Sequence, residues 1–347
     1  MNAFFKHNQL MVAPPVKRAA YSDRTAWIMA ELSRLVYERL PNEQELEELM
    51  NRLVTAIKCD AKKSELLSII SETAASLNET QESHTEIILK RNQYELVKSY
   101  SVGGTEAMIV KIPPNPEFGF AGMFVIVFRG TEPNSIADLK SDIKANLVDA
   151  PDGGRVHNGF LKAYEKVADL LNEDIKKADG LPVYITGHSL GGALALVATR
   201  YLGSDSVGAT YTFGGPRVGD DNFFKKIKTP VYRVVNAADG VARLPFGAGM
   251  SIFLSVIRLI PLNGTKWISE MIRKHFEGFT HYGNLVMLSA SSEPDKVQVY
   301  MSPSIFKSGL QIVVPRMVAT MGKAALADHS MTGYCQKLGA YALKRIS

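Results

Sequence analysis

Cysteine is scarce. The 347-residue chain holds Cys59 and Cys335, far apart in sequence, which excludes a disulfide framework or a cysteine-based metal site and suits a reducing compartment. No apolar run reaches the ~18 residues of a membrane-spanning helix. The first twenty residues carry Phe4, Phe5 and scattered Lys and Arg but no continuous apolar stretch. A Sec-type signal peptide is therefore not expected, and the sequence reads as cytoplasmic or exported by a non-Sec route. Internal repeats and low-complexity segments are also missing. Hydrophobic residues make up 46% and charged residues 22%, which excludes disorder, collagen and coiled coil as the dominant state.

Charge is unevenly spread within a net +5. Residues 241–347 hold 12 Lys/Arg against 5 Asp/Glu, and the first 240 hold 28 against 30. The basic third is also rich in Phe, Leu, Ile and Met. That combination suits an anionic lipid surface better than nucleic acid, though a solvated basic face explains the charge equally well.

Residues 1–20 read as a loose tail broken by Pro14 and Pro15. Asp23 is a candidate cap for a helix from Arg24 to Arg39, which Pro41 ends. Leu46, Leu49, Met50, Leu53 and Ile57, then Leu66, Leu67, Ile70, Ala74 and Leu77, follow helical spacing, so residues 41–90 form a helical elaboration. Short β-branched runs follow at Ala107–Ile112 and Met123–Phe128. Phe160–Lys177 reads as a helix, Val183–Thr186 as a strand, and Gly191–Tyr201 as a helix. Thr210–Phe213 and Val231–Val235 are further strands. This alternation predicts an α/β fold with a mostly parallel sheet covered by helices on both faces. The active site of such a sheet lies at the C-terminal strand ends.

The strongest chemical signal is Val183-Tyr184-Ile185-Thr186-Gly187-His188-Ser189-Leu190-Gly191-Gly192. A strand passes directly into a helix through Gly-His-Ser-Leu-Gly. Such a turn strains the serine backbone, presents its hydroxyl, and needs glycine where a Cβ would clash. Free N–H groups and the positive dipole end of the following helix suit an oxygen that becomes negative on an attacked carbonyl. His188 adjoins the serine in sequence but points away on such a turn, and reads as a packing residue.

Several separated blocks resemble the class 3 lipases, which include the fungal triacylglycerol lipases. They are Val125-Ile126-Val127-Phe128-Arg129-Gly130-Thr131, Val156-His157-Asn158-Gly159-Phe160, the serine turn, and Thr212-Phe213-Gly214-Gly215-Pro216-Arg217-Val218-Gly219. Tyr232 to Asp239 with Arg243-Leu244-Pro245, and Asp328-His329-Ser330 to Tyr334, complete the set. The resemblance is good from Ala107 to Leu244, weaker over Arg24–Tyr37 and the C-terminal end, and absent over 41–90. It implies an α/β-hydrolase fold and a lipid ester hydrolase of triacylglycerol lipase or phospholipase A type. No metal or organic cofactor is implied. Residues 21–347 would form one domain, with lid-like inserts at 246–276 and 302–326.

Carried over by residue, the resemblance makes Ser189 the nucleophile, Asp239 the acid and His329 the base, with Thr131 and Leu190 as oxyanion-hole donors. Asp220 and Asp221 compete with Asp239 but lie in a polar turn that reads as a helix cap. His281 competes with His329. It precedes a strand-like run, Asn284–Leu288, where the family carries a histidine that is not catalytic. A histidine base must be neutral, so activity is expected to fall below roughly pH 6–7. The family's lid position is Glu132 to Leu139, with Leu139 where many members have Trp. Residues 246–276 contain an apolar helix, Met250 to Ile260, and residues 302–326 are interrupted by Pro315. Each reads either as a core cover or as a lipid-docking lid. Two further readings stay open: a catalytically silent membrane- or partner-binding module, and a soluble esterase without interfacial activation.

Overall fold

The computed structural model describes residues 4, 6, 20–38, 43–58, 63–78, 83–130, 146–202, 208–243, 278–291, 293–304, 311–320 and 323–346. Thr131, the expected lid position at Glu132–Leu139 and the whole of the 246–276 insert lie outside the described residues.

The strands are β1 (Glu95–Val102), β2 (Thr105–Ile112), β3 (Met123–Phe128), β4 (Leu147–Asp149), β5 (Arg155–His157), β6 (Val183–His188), β7 (Thr210–Phe213), β8 (Val231–Asn236), β9 (Asn284–Leu288) and β10 (Val299–Met301). Eight of them form one sheet in the order β1-β2-β3-β6-β7-β8-β9-β10. The pairs β1–β2 and β2–β3 are antiparallel, β3, β6, β7, β8 and β9 run parallel, and β10 returns antiparallel on β9. This is the α/β-hydrolase fold. The short β4–β5 hairpin, which the sequence pattern does not signal, stands apart from that sheet.

The helices are α1 (Asp23–Leu35), α2 (Glu43–Lys58), α3 (Lys63–Asn78), α4 (His84–Arg91), α5 (Asn158–Asp174), α6 (Leu190–Leu202), α7 (Asp221–Phe224), α8 (Val314–Ala319), α9 (Ala324–Ala327) and α10 (Met331–Lys344). The period-2 alternation of β3 sorts the core into two layers. Val125 and Val127 face a layer with Trp27, Met29 and Leu32 of α1 and Tyr334 and Leu338 of α10. Phe124 and Ile126 face the other layer, with Phe160, Val167 and Leu171 of α5 and Leu194 and Val197 of α6. A strand covered on both faces needs apolar residues throughout, and every residue of β3 is buried.

The start of α1 departs from expectation. Ser22 is the N-cap, its Oγ accepting from the Thr25 N–H at 3.3 Å, and Asp23 sits in the first turn. The shorter hydroxyl reaches the free N–H, while the Asp23 carboxylate pairs with Arg345 of the C-terminal end. The helix ends at Leu35 rather than Arg39, and Tyr37 beyond it turns its hydroxyl onto His188.

Candidate active site

Ser189 lies between β6 and α6 with φ +57°, a left-handed backbone that non-glycine residues rarely adopt. Its neighbours explain how the turn closes. A Cβ at Gly187 would stand 2.3 Å from the Gly191 carbonyl oxygen, and one at Gly191 would stand 2.3 Å from that of Phe128. Strand, turn and helix approach too closely for any side chain at either position. The Ser189 N–H donates to the Phe213 carbonyl at 2.9 Å, tying the turn to β7.

The first helical N–H beyond Ser189 belongs to Leu190, while those of Gly192 and Ala193 return to the Ser189 carbonyl at 3.0 and 3.3 Å. The end of β3 runs past this turn. A Cβ at Gly130 would lie 3.2 Å from the Ser189 Cβ and 2.4 Å from the His188 oxygen. Ser189 itself is only 1% exposed. The serine turn was expected to present its hydroxyl to solvent. Here it is covered.

Asp239 follows β8 and is fully buried. Its carboxylate collects donors from separate parts of the chain. Oδ1 accepts from the Val241 N–H at 2.9 Å and the Ala242 N–H at 3.3 Å, and Oδ2 accepts from the Tyr334 hydroxyl at 2.6 Å. His329 Nδ1 lies 3.0 Å from both oxygens. With this many donors the buried carboxylate has no unpaired oxygen. Because Nδ1 donates to Asp239, the other ring nitrogen is left as a proton acceptor.

The segment carrying His329 is clamped onto the end of β8. Asn236 Nδ2 donates to the Asp328 carbonyl at 2.9 Å, and the Ala238 N–H donates to Asp328 Oδ2 at 3.0 Å. Arg316 of α8 donates to both oxygens of Asp328, at 3.3 and 3.0 Å. A described part of the 302–326 insert thus buttresses the residue next to His329.

His188 contributes through packing, as its turn position suggested. The Tyr37 hydroxyl stands 2.9 Å from Nδ1, and Nε2 lies 2.8 Å from the His329 carbonyl oxygen. Burial, with His329 close by, holds its pKa well below the usual histidine range. A neutral ring that accepts from Tyr37 and donates to His329 fits both contacts.

The competitors sit elsewhere. Asp220 caps α7, accepting from the Phe223 N–H at 2.8 Å, and Asp221 lies in that helix's first turn. His281 precedes β9 beside Arg233, Arg217 and Arg243, and burial with those cations pushes its pKa well down.

Gly214 and Tyr334 serve the site without a signal in the sequence pattern. Gly214 has φ +59°, and a Cβ there would meet Asp239 Oδ2 at 2.5 Å and His329 Nδ1 at 2.9 Å. Tyr334 stands five residues after His329, within a block matched for its overall pattern only. Among the described residues no group of three or more His, Cys, Asp or Glu is arranged to hold a metal ion, and no helix is long and apolar enough to cross a membrane.

The model of the class 3 lipase family matches residues 125–248, a stretch that runs from β3 through the serine turn and past Asp239. That stretch, less than half of the chain, is similar to the class 3 lipase family. A secreted mono- and diacylglycerol lipase of Fusarium solani is 44% identical over 101 residues, 27% of this chain and 30% of that protein. The chloroplastic phospholipase A(1) DAD1 of Arabidopsis thaliana is 35% identical over 198 residues, 49% of this chain and 44% of that one. The match thus spans less than half the length of either relative.

Among solved structures, the native Rhizomucor miehei lipase propeptide complex is similar at 25% identity with a TM-score of 0.49, covering 85% of this chain and 82% of that one. The expected cytoplasmic or non-Sec location is corrected by these comparisons. The Fusarium relative is named a secreted lipase, and the missing apolar run in residues 1–20 is no guide to location.

Proposed function

We propose that this chain is a serine hydrolase that cleaves carboxylic esters of lipids through Ser189, His329 and Asp239. The observation that carries the reading is the His329 ring held by both Asp239 oxygens at 3.0 Å after β8, while Ser189 occupies a strained turn at the end of β6, two strands away in the same sheet. The remaining ring nitrogen of His329 takes the serine proton as Oγ attacks the ester carbonyl. Asp239 fixes the ring and offsets the imidazolium charge. The N–H groups of Leu190 and Thr131 hold the oxyanion. The alcohol leaves with the proton from His329, and water, activated by the same ring, releases the fatty acid from Ser189. No step calls on a cofactor.

Residues 21–347 act as one domain in this reading. The covered serine implies that the site opens for substrate, and a lipid surface is the partner that suits the basic, apolar C-terminal third. The Fusarium relative is a mono- and diacylglycerol lipase and the Arabidopsis relative a phospholipase A(1), which supports acylglycerols and phospholipids as the substrate classes.

A panel of acylglycerols and phospholipids, with products read by mass spectrometry, tests the proposal. Fatty acid should be released by the native protein and not by S189A. Equal release by both proteins, or none from any lipid, contradicts it.

A further inference from the structure

Beside the Asp239 corner lies a second group of charged residues that the proposed chemistry does not use. Arg233 stands on β8, opposite Leu285 of β9 and Thr212 of β7. Arg217 follows β7, Arg243 follows Asp239, and His281 precedes β9. The chain draws these together partly because Gly219 bridges to Val156 on one side and to Thr280 on the other, tying the segment after β7 to the run before β9. The Thr280 N–H donates to the Gly219 carbonyl at 2.9 Å. Arg217 donates to the Arg243 carbonyl, and Arg243 Nη2 donates to the Ala237 carbonyl at 3.3 Å.

Among the described residues the cluster holds more positive than negative charge. The Nε atoms of Arg233 and Arg243 are buried without a hydrogen-bond partner. Neither side chain forms an ion pair among the described residues. Burial and the neighbouring arginines lower the pKa of Arg217 and Arg233 to about 10, and burial lowers that of Arg243 against the pull of Asp239. Among the described residues Asp239 is the carboxylate whose charge acts on Arg243, and that carboxylate's oxygens accept from Tyr334, His329, Val241 and Ala242. Guanidinium groups gathered in this way, with the Nε donors of Arg233 and Arg243 unused, suit a multivalent oxyanion whose several acceptors match planar forks.

We propose that Arg217, Arg233 and Arg243, with His281 at their edge, form a binding site for a phosphate-class oxyanion next to the Asp239 corner. The site goes beyond ester hydrolysis and does not depend on it. The anion would come either from free phosphate or from a phospholipid headgroup.

The test uses the full chain. Titrating inorganic phosphate from about 0.1 to about 20 mM, at constant ionic strength set with chloride, should raise Tm saturably. R233M, checked for native circular dichroism, should weaken this response at least about tenfold. If R233M does not fold, R217M gives the same reading. Flotation with vesicles of phosphatidylcholine containing phosphatidic acid identifies the source. Loss of vesicle binding in the arginine variant assigns the site to a headgroup, and unchanged vesicle binding beside a lost phosphate response assigns it to the free ion. A native protein whose Tm does not respond to phosphate, or an arginine variant whose response equals the native one, overturns the proposal.

Discussion

Two neighbouring corners of the molecule treat buried charge in opposite ways. At Asp239 one carboxylate receives donors from Tyr334, Val241, Ala242 and His329. A few residues away, Arg233 and Arg243 keep buried Nε donors without a partner. Both involve β8 and the segment that follows it. The saturated corner behaves as finished machinery, since both carboxylate oxygens have donors. The unsaturated one behaves as a receptor, because orphaned charged donors are costly unless something supplies acceptors. The difference separates what the fold completes by itself from what it leaves for a ligand.

The largest expected effect comes from removing the reacting groups of the saturated corner. S189A should lower kcat by about 10⁴–10⁶, and D239N, which leaves His329 without its anionic partner, by about 10⁴. Steady-state hydrolysis of a short-chain ester reads both.

Next comes G214A. Its methyl would press on Asp239 Oδ2 and His329 Nδ1 at 2.5 and 2.9 Å, from a backbone at φ +59°. Displacing that pair by about 1 Å should lower kcat about a hundredfold, and the strained backbone should cost about 1–3 kcal/mol by urea denaturation.

Y334F breaks the comparison more gently. It removes the 2.6 Å donor from Asp239 and should cost about 1.5–3 kcal/mol, read as a roughly ten- to hundredfold fall in kcat and a lower urea midpoint.

The smallest effect on activity sharpens the contrast with a buried cation that is fully served. Lys337 donates to Asn236 Oδ1 at 2.7 Å and to the Ser289 carbonyl at 2.8 Å, yet burial pushes its pKa down from 10.5 to about 8. Between those values the unfolded chain holds the proton and the folded chain does not, so this group makes stability rise as pH increases through that window. K337M should remove that rise, about 3 kcal/mol, in urea-denaturation stability measured across the alkaline range.

Much of the fold was legible because the signals are local. The short β-branched runs at Met123–Phe128 and Thr210–Phe213 form strands with those same bounds. The glycine pattern around Ser189 announces a turn whose tightness shows in the 2.3 Å approaches. Asp220 reads as a cap and is one. What escaped depends on distance along the chain or on competition between adjacent groups. Ser22 and Asp23 are both good caps, and only the position of Arg345 decides which side chain turns away.

Tyr334 and Gly214 matter through contacts with Asp239 that no spacing encodes. The arginine cluster joins residues from β8, from the segments after β7 and β8, and from the run before β9. Its members look like ordinary surface charges in sequence. The covered Ser189, at 1% exposure, depends on packing that a turn motif does not describe.

The central claim is that His329, held by Asp239, activates Ser189. Fluorophosphonate labelling followed by peptide mass spectrometry tests it most directly. The account expects a rapid adduct on Ser189 in the native protein and a loss of at least about a thousandfold in labelling rate in folded H329Q. An adduct that forms equally fast in H329Q, or that sits on another residue, would contradict it.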